Sequence, residues 1–525
     1  MNNITHIIKY ILTLLLLTAT PVGTLHAQMM NNDTLLRKLH MAEICINNLY
    51  VEKVDEQKLV EDAIRGMLEK LDPHSSYLNA KEVKASNETL QGSFEGIGIQ
   101  FNMVEDTLMV IQPVTNGPSE KVGIIAGDRI VAVNDSTIAG VKMSREEIMR
   151  RLRGPKGSKV KLGIMRQDIA ELLTFTVTRD KIPVKTVDAH YMIEPGIGYI
   201  RIGSFGATTH QEFMECLEDL QQQGMTKLLL DLQDNGGGYL QAAVEVAEEF
   251  LDDNALLVYT KGRRVPERTY HAKGNGHFTH GNVVVMVDEY TASAAEIVTG
   301  AIQDHDRGDV VGRRTYGKGL VQRPIDMPDG SMIRLTIAHY YTPSGRCIQK
   351  PYTLGDQADY QMELLDRFEH GEFYNADSVH YQDTTTYRTK KGRVVHGGGG
   401  IMPDVFVGRD TTLYSPYFNQ VVNRAYTYQF AYQYTDAHRK ELSRYKDWRS
   451  LEKHLLAANW LPEFVQYCKD KGVEPNQQQI AKSKPLILRL VNAYIVRNIL
   501  GDEGFFPLFE RDDEITKKAV ETIFN

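Results

Sequence analysis

A serine, a lysine and a glutamine stand at set intervals in the middle of this chain. Ser293 lies in Thr-Ala-Ser-Ala-Ala-Glu, while Lys318 and Gln322 share the run Tyr-Gly-Lys-Gly-Leu-Val-Gln. A hydroxyl becomes a nucleophile when a base takes its proton, and a lysine can be that base in place of histidine. The chemistry such a pair performs is hydrolysis of a peptide bond. Lys318 must then be neutral. Free lysine titrates near 10.4, so work near neutral pH needs a depression of about 3 units, or ~4 kcal/mol. Burial beside Tyr316, Leu320 and Val321 can supply it. Gly317 and Gly319 let the backbone pack closely there, and the Gln322 carbonyl can orient the amine.

Ser293 follows an apolar run, Val283–Val287, and opens a helical pattern. A helix N-terminus carries unpaired N–H groups and a positive dipole end, both favourable to developing negative charge. The Ala294 amide is therefore a candidate oxyanion donor. A second donor is expected from the glycine run Gly236–Gly238, which follows Asn235 and another apolar strand. One such donor is typically worth ~3 kcal/mol of transition-state stabilisation. The run is not a nucleotide-binding loop, because no Gly-Lys-Ser/Thr follows it. A histidine base is the natural rival. His305 is twelve residues beyond Ser293 on the same helix, ~18 Å away at 1.5 Å per residue. His271, His277 and His280 match no standard zinc spacing, so no metal site is assigned.

The elements that must position these groups can be read along the chain. The 525 residues suggest three or four domains, and the net charge of −8 comes with no basic arm, which argues against nucleic acid as a partner. Residues 1–27 read as an export signal. Lys9 precedes an apolar core, Ile11–Thr18, and Leu25-His26-Ala27 offers a cleavage site. The apolar run is shorter than the ~20 residues that span a bilayer. A periplasmic or secreted location is expected, with membrane association if the segment is retained. The four cysteines, Cys45, Cys216, Cys347 and Cys468, are too far apart for a dense disulfide framework and are expected to be separate thiols.

Within residues 28–90, positions 33–85 read as helices from the apolar spacing of Leu35, Leu39, Ala42, Ile46 and Leu49. Residues 91–180 alternate short β-branched runs with Gly/Asn/Asp turns. They hold one helix, capped by Ser144 with Glu147 closing a capping box. Residues 181–350 alternate strand and helix, the pattern of an α/β core that is taken to extend over 181–410. An insertion near 351–395 shows no clean period and is expected to have little regular structure. Residues 411–525 are helical, with Ser415 as cap, Pro416 at the first helical position and an apolar stripe Phe418, Val421, Val422, Ala425 and Tyr428.

Taken together, Ser293, Lys318, Gln322 and the Asn235–Gly238 turn resemble the carboxyl-terminal processing proteases, also called tail-specific proteases. The resemblance reaches upstream to Leu71-Asp-Pro-His-Ser-Ser-Tyr77 and downstream to Gly400-Ile-Met-Pro-Asp404. Gly236 departs from the proline usual in that turn. The resemblance implies an α/β peptidase core of crotonase or Clp-protease type, an inserted PDZ-like domain and no cofactor. It also implies a Ser293–Lys318 dyad assisted by Gln322, with Gly237 and Ala294 amides holding the oxyanion.

The PDZ-like part has its own physical reading. Gly96-Ile97-Gly98-Ile99 would cradle a chain-terminal carboxylate. The following strand would pair with an extended tail, and Ile148 and Leu152 would wall the groove. Arg153, in the cationic turn after that helix, is expected to link tail binding to the core. Substrates would then be proteins or peptides with exposed, apolar C-termini. The helical ends could serve a second copy or an adaptor. A non-catalytic PDZ scaffold is the alternative, and an acyl-coenzyme hydratase-like core is a further one. Intact Ser293, Lys318 and Gln322 weigh against the first, and the absence of a coenzyme-binding pattern against the second.

Overall fold

A sheet of six strands organises the catalytic half of the molecule. The computed structural model describes residues 22–524 except 105, 168 and 381–384. Positions 1–21 of the expected export segment lie outside the described residues. The sheet runs Val187–Glu194, Ile197–Ile202, Lys227–Asp231, Asn282–Val287, Asp309–Gly312 and Val405–Phe406. Its first pair is antiparallel and the rest are parallel. Parallel strands are covered on both faces and so read as apolar runs rather than alternations. All six residues of Ile197–Ile202 are buried. Helices Thr209–Gln222, Leu240–Glu248 and Ala294–Asp304 pack on one face through Phe213, Leu217, Val246, Val298 and Ile302. On the other face, Leu229, Val284, Met286 and Val311 meet Ile515, Ala519 and Ile523 from the end of the chain.

A second sheet carries the lysine loop. Met332–Tyr341 is its spine, with Leu320–Asp326 paired antiparallel to it and Leu256–Lys261 also on it. Ser76–Leu78 joins as well, in register Ser76↔Arg334. The all-helical reading of 33–85 is thus corrected. Val22–Leu49 and Glu56–Leu68 are helices, but Asp72-Pro73 ends the helical run and the chain then enters this sheet.

The PDZ-like domain leaves and rejoins the core side by side, because Ser93–Gly96 pairs with Asp180–Pro183. Its main sheet runs Ile99–Val104, Thr107–Pro113, Arg129–Val133, Lys159–Met165, Leu173–Thr178, with Ile99–Val104 at the edge. Ser144 caps helix Arg145–Leu152 by accepting from the Glu147 amide at 3.2 Å. The expected capping box does not close, because the Glu147 carboxylate is held by Arg150 and Arg151 instead.

Two further expectations change. The insertion is ordered by helix Gln357–Glu369 and by a hairpin of Thr386–Arg388 with Val394–His396. That helix buries only Tyr360 and Arg367, so it shows no apolar stripe. The C-terminal stripe is split between helices Pro416–Asn423 and Tyr426–Leu442 by Ala425, which takes φ 55°. Both join the helices Trp448–Ala458, Leu461–Asp470 and Gln477–Leu500 in a separate core around Trp460, Phe464 and Val491. None of the four cysteines is in a disulfide.

Candidate active site

Ser293 sits where strand Asn282–Val287 turns into helix Ala294–Asp304, with φ 56° and ψ −113°. A non-glycine residue at positive φ is strained by ~1–3 kcal/mol and persists only where its surroundings over-determine it. Four contacts do so here. The Ala292 amide donates to Asn235 O at 2.8 Å and the Tyr316 amide to Thr291 O at 2.9 Å. Tyr340 Oη donates to Ser293 O at 3.0 Å, and the Ser293 amide donates to Glu296 Oε2 at 2.8 Å. The Ala294 amide opens the helix and has no intrahelical acceptor.

The glycine turn packs directly on this elbow. A Cβ on Gly237 would stand 2.7 Å from Ser293 Cβ, and Gly237 itself is at φ 95°. Only glycine fits there. The Gly237 amide, however, donates to Asn235 Oδ1 at 2.8 Å. In this conformation that N–H is directed into the turn rather than toward a substrate.

Ser293, Ala294, Lys318, Gln322 and Gly236–Gly238 line one cleft of about 600 Å³, with Asn87 and Leu90 at its rim. A hollow of about 640 Å³ lies elsewhere, beside His305 and Arg307 at the far end of the serine helix. Among the described residues, no hydrogen bond joins Ser293 Oγ to Lys318 Nζ. Catalytic hydrogen bonds are often open without substrate. Burial pushes the Lys318 ammonium below its ordinary pKa and the Arg334 cation reinforces this, against the opposing carboxylates of Glu296 and Asp72. The net direction is toward the neutral amine that a general base requires.

Three residues that the sequence reading passed over hold this arrangement. Glu296 is fully buried, and its carboxylate accepts from the amides of Ser293, Gly317 and Lys318 and from Thr315 Oγ1 at 2.6–2.9 Å. One side chain therefore fixes both the nucleophile elbow and the lysine loop. Gln349 Oε1 accepts from the Gly319 amide at 2.8 Å. His74 is near enough to feel Lys318. Burial first, and then the Lys318 charge, lower its pKa to about 4, and its Nε2 meets Tyr360 Oη at 2.9 Å. Glu296 is signalled by its place three residues after the serine, the capping-box spacing, and His74 lies in the Leu71–Tyr77 segment of the resemblance, but no local pattern marks Gln349.

The tail-binding candidates are less open than expected. Ile97, Ile148 and Leu152 belong to the core of the PDZ-like domain. Gly96 pairs with Asp180 in the entry sheet, and Gly98 makes its turn at φ 71°. Ile99 and Phe101 are half-buried on the edge strand. Among the described residues no strand pairs with its outer edge, although Asn102 on it meets Tyr428 of helix Tyr426–Leu442. Arg153 reaches neither the serine helix nor the lysine loop. Its Nη1 pairs with Glu88 Oε2 at 2.5 Å and its guanidinium lies 4.8 Å over the Phe94 ring. Glu88 belongs to helix Ala80–Leu90, whose Asn87 and Leu90 rim the cleft.

Comparisons with known proteins assign the family. The profile of peptidase family S41 matches residues 196–361 and that of the PDZ domain residues 96–179. The profile of the activating protease CtpB N-terminal domain matches 18–82, and a family of unknown function matches 417–501. The chain is 35% identical over 324 residues to the carboxy-terminal processing protease CtpB of Bacillus subtilis, covering 61% of this chain and 66% of that protein. It is 37% identical over 309 residues to the carboxy-terminal-processing protease of Bartonella bacilliformis, covering 58% and 70%. The solved photosystem II D1 C-terminal processing protease is 28% identical, with 70% of this chain and 87% of that one aligned at a TM-score of 0.36. With its S41 peptidase region, its PDZ domain and these relatives, the chain belongs to the family of carboxy-terminal processing proteases.

Proposed function

We propose that this protein is an exported serine endopeptidase that selects proteins by their exposed, apolar C-terminal tails. The observation that carries the reading is the cleft shared by Ser293 on a strained helix start and a partly buried Lys318. Ser293 Oγ attacks the scissile carbonyl carbon and its proton passes to Lys318 Nζ. The Ala294 amide, and a glycine amide of the Asn235–Gly238 turn once that turn adjusts, stabilise the oxyanion. The C–N bond then breaks, and the leaving amine takes the proton from Lys318. Water attacks the resulting ester as Lys318 accepts its proton. The C–Oγ bond then breaks, Ser293 Oγ takes that proton from Lys318, and the acid product leaves with the serine hydroxyl and the neutral amine restored. Gln322 accepts a hydrogen bond from the Lys318 amine and keeps its lone pair toward Ser293.

The tail would add a strand to the edge Ile99–Val104, with its carboxylate at Gly96–Ile99. Export rests on the sequence of residues 1–27. A core of crotonase type is consistent with the mainly parallel sheet between three helices on one face and the last helix on the other. Leu35, Leu36, Met41 and Leu49 stand exposed on the first helix, which supports contact with a second copy or an adaptor there.

The test is cleavage of an unfolded model protein with and without an apolar tail. The tailed substrate should be cut faster, Ser293→Ala should abolish cutting, and amidation of the tail should remove the preference. Equal cutting by Ser293→Ala would overturn the nucleophile. Indifference to the tail and to amidation would overturn the recognition.

A further inference from the structure

Gln322 lies on strand Leu320–Asp326, and a bulge between Val321 and Gln322 sets it directly opposite Thr336 on the neighbouring strand. Bulges re-aim side chains and are frequent beside active sites. Gln322 Nε2 donates to Thr336 Oγ1 at 3.2 Å. Thr336 Oγ1 in turn donates to Asp72 Oδ1 at 2.8 Å. Asp72 comes from the Leu-Asp-Pro-His-Ser-Ser-Tyr segment, whose strand Ser76–Leu78 pairs with the other edge of the Thr336 strand. Resting on the hydrolytic reading above, we propose that Asp72 is a positioning residue which, acting through Thr336, fixes the end of the Gln322 amide that faces Lys318.

The argument is one of proton count. A hydroxyl has one proton, and an ionised carboxylate can only accept. Thr336 must therefore give its proton to Asp72 and can only accept on the Gln322 side. The amide NH₂ has to point at Thr336, because the reversed amide would set two acceptors against each other. The carbonyl oxygen is then the end left for the cleft that Gln322 and Lys318 both line. An acceptor there engages one amine N–H and leaves the lone pair for the serine proton.

Asp72 is built to stay an acceptor. It is buried and also takes the Ser75 amide at 3.0 Å, the His74 amide at 2.9 Å and Ser75 Oγ at 2.5 Å. Burial raises its pKa, but the bonds from Ser75, Thr336 and His74 outweigh that and hold it below the usual carboxylate value. Ser75 Oγ also accepts from the Thr336 amide at 3.0 Å, locking the turn to the strand.

The experiment uses the full chain and a tailed unfolded substrate. Thr336→Val keeps the shape and removes the hydroxyl. It should lower kcat at least about tenfold, the scale seen when an orienting partner behind a site is lost, with KM unchanged, and lower the melting temperature modestly because Asp72 and Gln322 each lose a hydrogen-bond partner. Thr336→Ser should restore the rate. In a Gln322→Ala background, Thr336→Val should have no further effect, because the two act as one unit. A normal kcat in Thr336→Val, or additive losses in the double variant, would overturn the positioning role. Should Thr336→Val not fold, Gln322→Glu carries the test. A carboxylate cannot receive a proton from a hydroxyl already committed to Asp72, so full activity in that variant would overturn the orientation. Ser293→Ala runs beside these as the control. Its inactivity upholds the hydrolytic reading whatever Thr336 shows, and its activity overturns that reading first.

Discussion

A lysine works as a base only while its amine is neutral, so activity should rise with pH through the Lys318 pKa. That pKa lies below the ordinary lysine value because of burial and Arg334, which moves the rising limb toward neutrality. Arg334→Ala removes a cation that disfavours the ammonium. The Lys318 pKa should then rise and the acid limb of the pH–rate profile move to higher pH, with more activity lost at neutral pH than at alkaline pH. A limb that stays in place would separate it from Lys318. Glu296 makes a different prediction at the same scale. Glu296→Ala leaves three amides and one hydroxyl without their acceptor, each worth ~1–3 kcal/mol when buried and unpaired. Both the elbow and the lysine loop lose their common anchor. A shift of ~1 Å costs on the order of a hundredfold in rate, so kcat should fall by at least that and the melting temperature should drop. Near-normal kcat would show that other contacts suffice to hold the pair.

At the scale of elements, ion pairs tie the PDZ-like domain to two different neighbours. Arg153 ties it to helix Ala80–Leu90 at the cleft rim, and Arg129 pairs with Asp436 of helix Tyr426–Leu442 at 2.6 Å. A tail bound to the domain can influence cleavage only by favouring one arrangement of these contacts over another. The Arg153–Glu88 pair is partly exposed and worth at most ~1 kcal/mol. Arg153→Ala should therefore lower tail-stimulated cleavage a few-fold while tail affinity stays the same, and Glu88→Ala should reproduce it. Parallel loss of affinity and cleavage would place Arg153 in the groove instead. The elements themselves were legible where a single period dominated. The PDZ-like strands alternate or carry apolar runs between turn residues, and the serine helix follows an apolar strand. Helix Gln357–Glu369 was not legible, because it is anchored by Tyr360 and by Arg367 bonded to Glu372 rather than by an apolar stripe. The Asp72–Thr336 contact joins positions 264 apart, and no local pattern announces such a pair.

On the scale of the whole molecule, the chain's two ends complete the core between them. The upstream segment supplies Ser76–Leu78 to the lysine sheet, and the last helix, Glu514–Thr522, closes the open face of the main sheet. The helical reading of residues 411–525 gave no hint of this, because Ile515, Ala519 and Ile523 are a short stripe among charged neighbours whose partners lie on distant strands. Ile515 and Ala519 are fully buried against a face that also carries Met286, one strand-end away from the serine elbow. The same C-terminal segment meets the strand leading to the glycine turn, since Arg201 bonds Asp231 Oδ2 at 2.6 Å and Gln233 O at 3.1 Å and reaches Glu510 at 3.4 Å. Ile515→Ala should destabilise the peptidase core by about 2–5 kcal/mol, the cost of a large-to-small change in a packed interior. Chemical denaturation should show this as a lower midpoint with an unchanged slope, and peptidase activity should disappear with the core transition. The PDZ-like domain has its own apolar core, so its tail affinity should survive at denaturant concentrations that abolish cleavage. If Ile515→Ala unfolds at the wild-type midpoint, the last helix is peripheral and the sheet is stable without it.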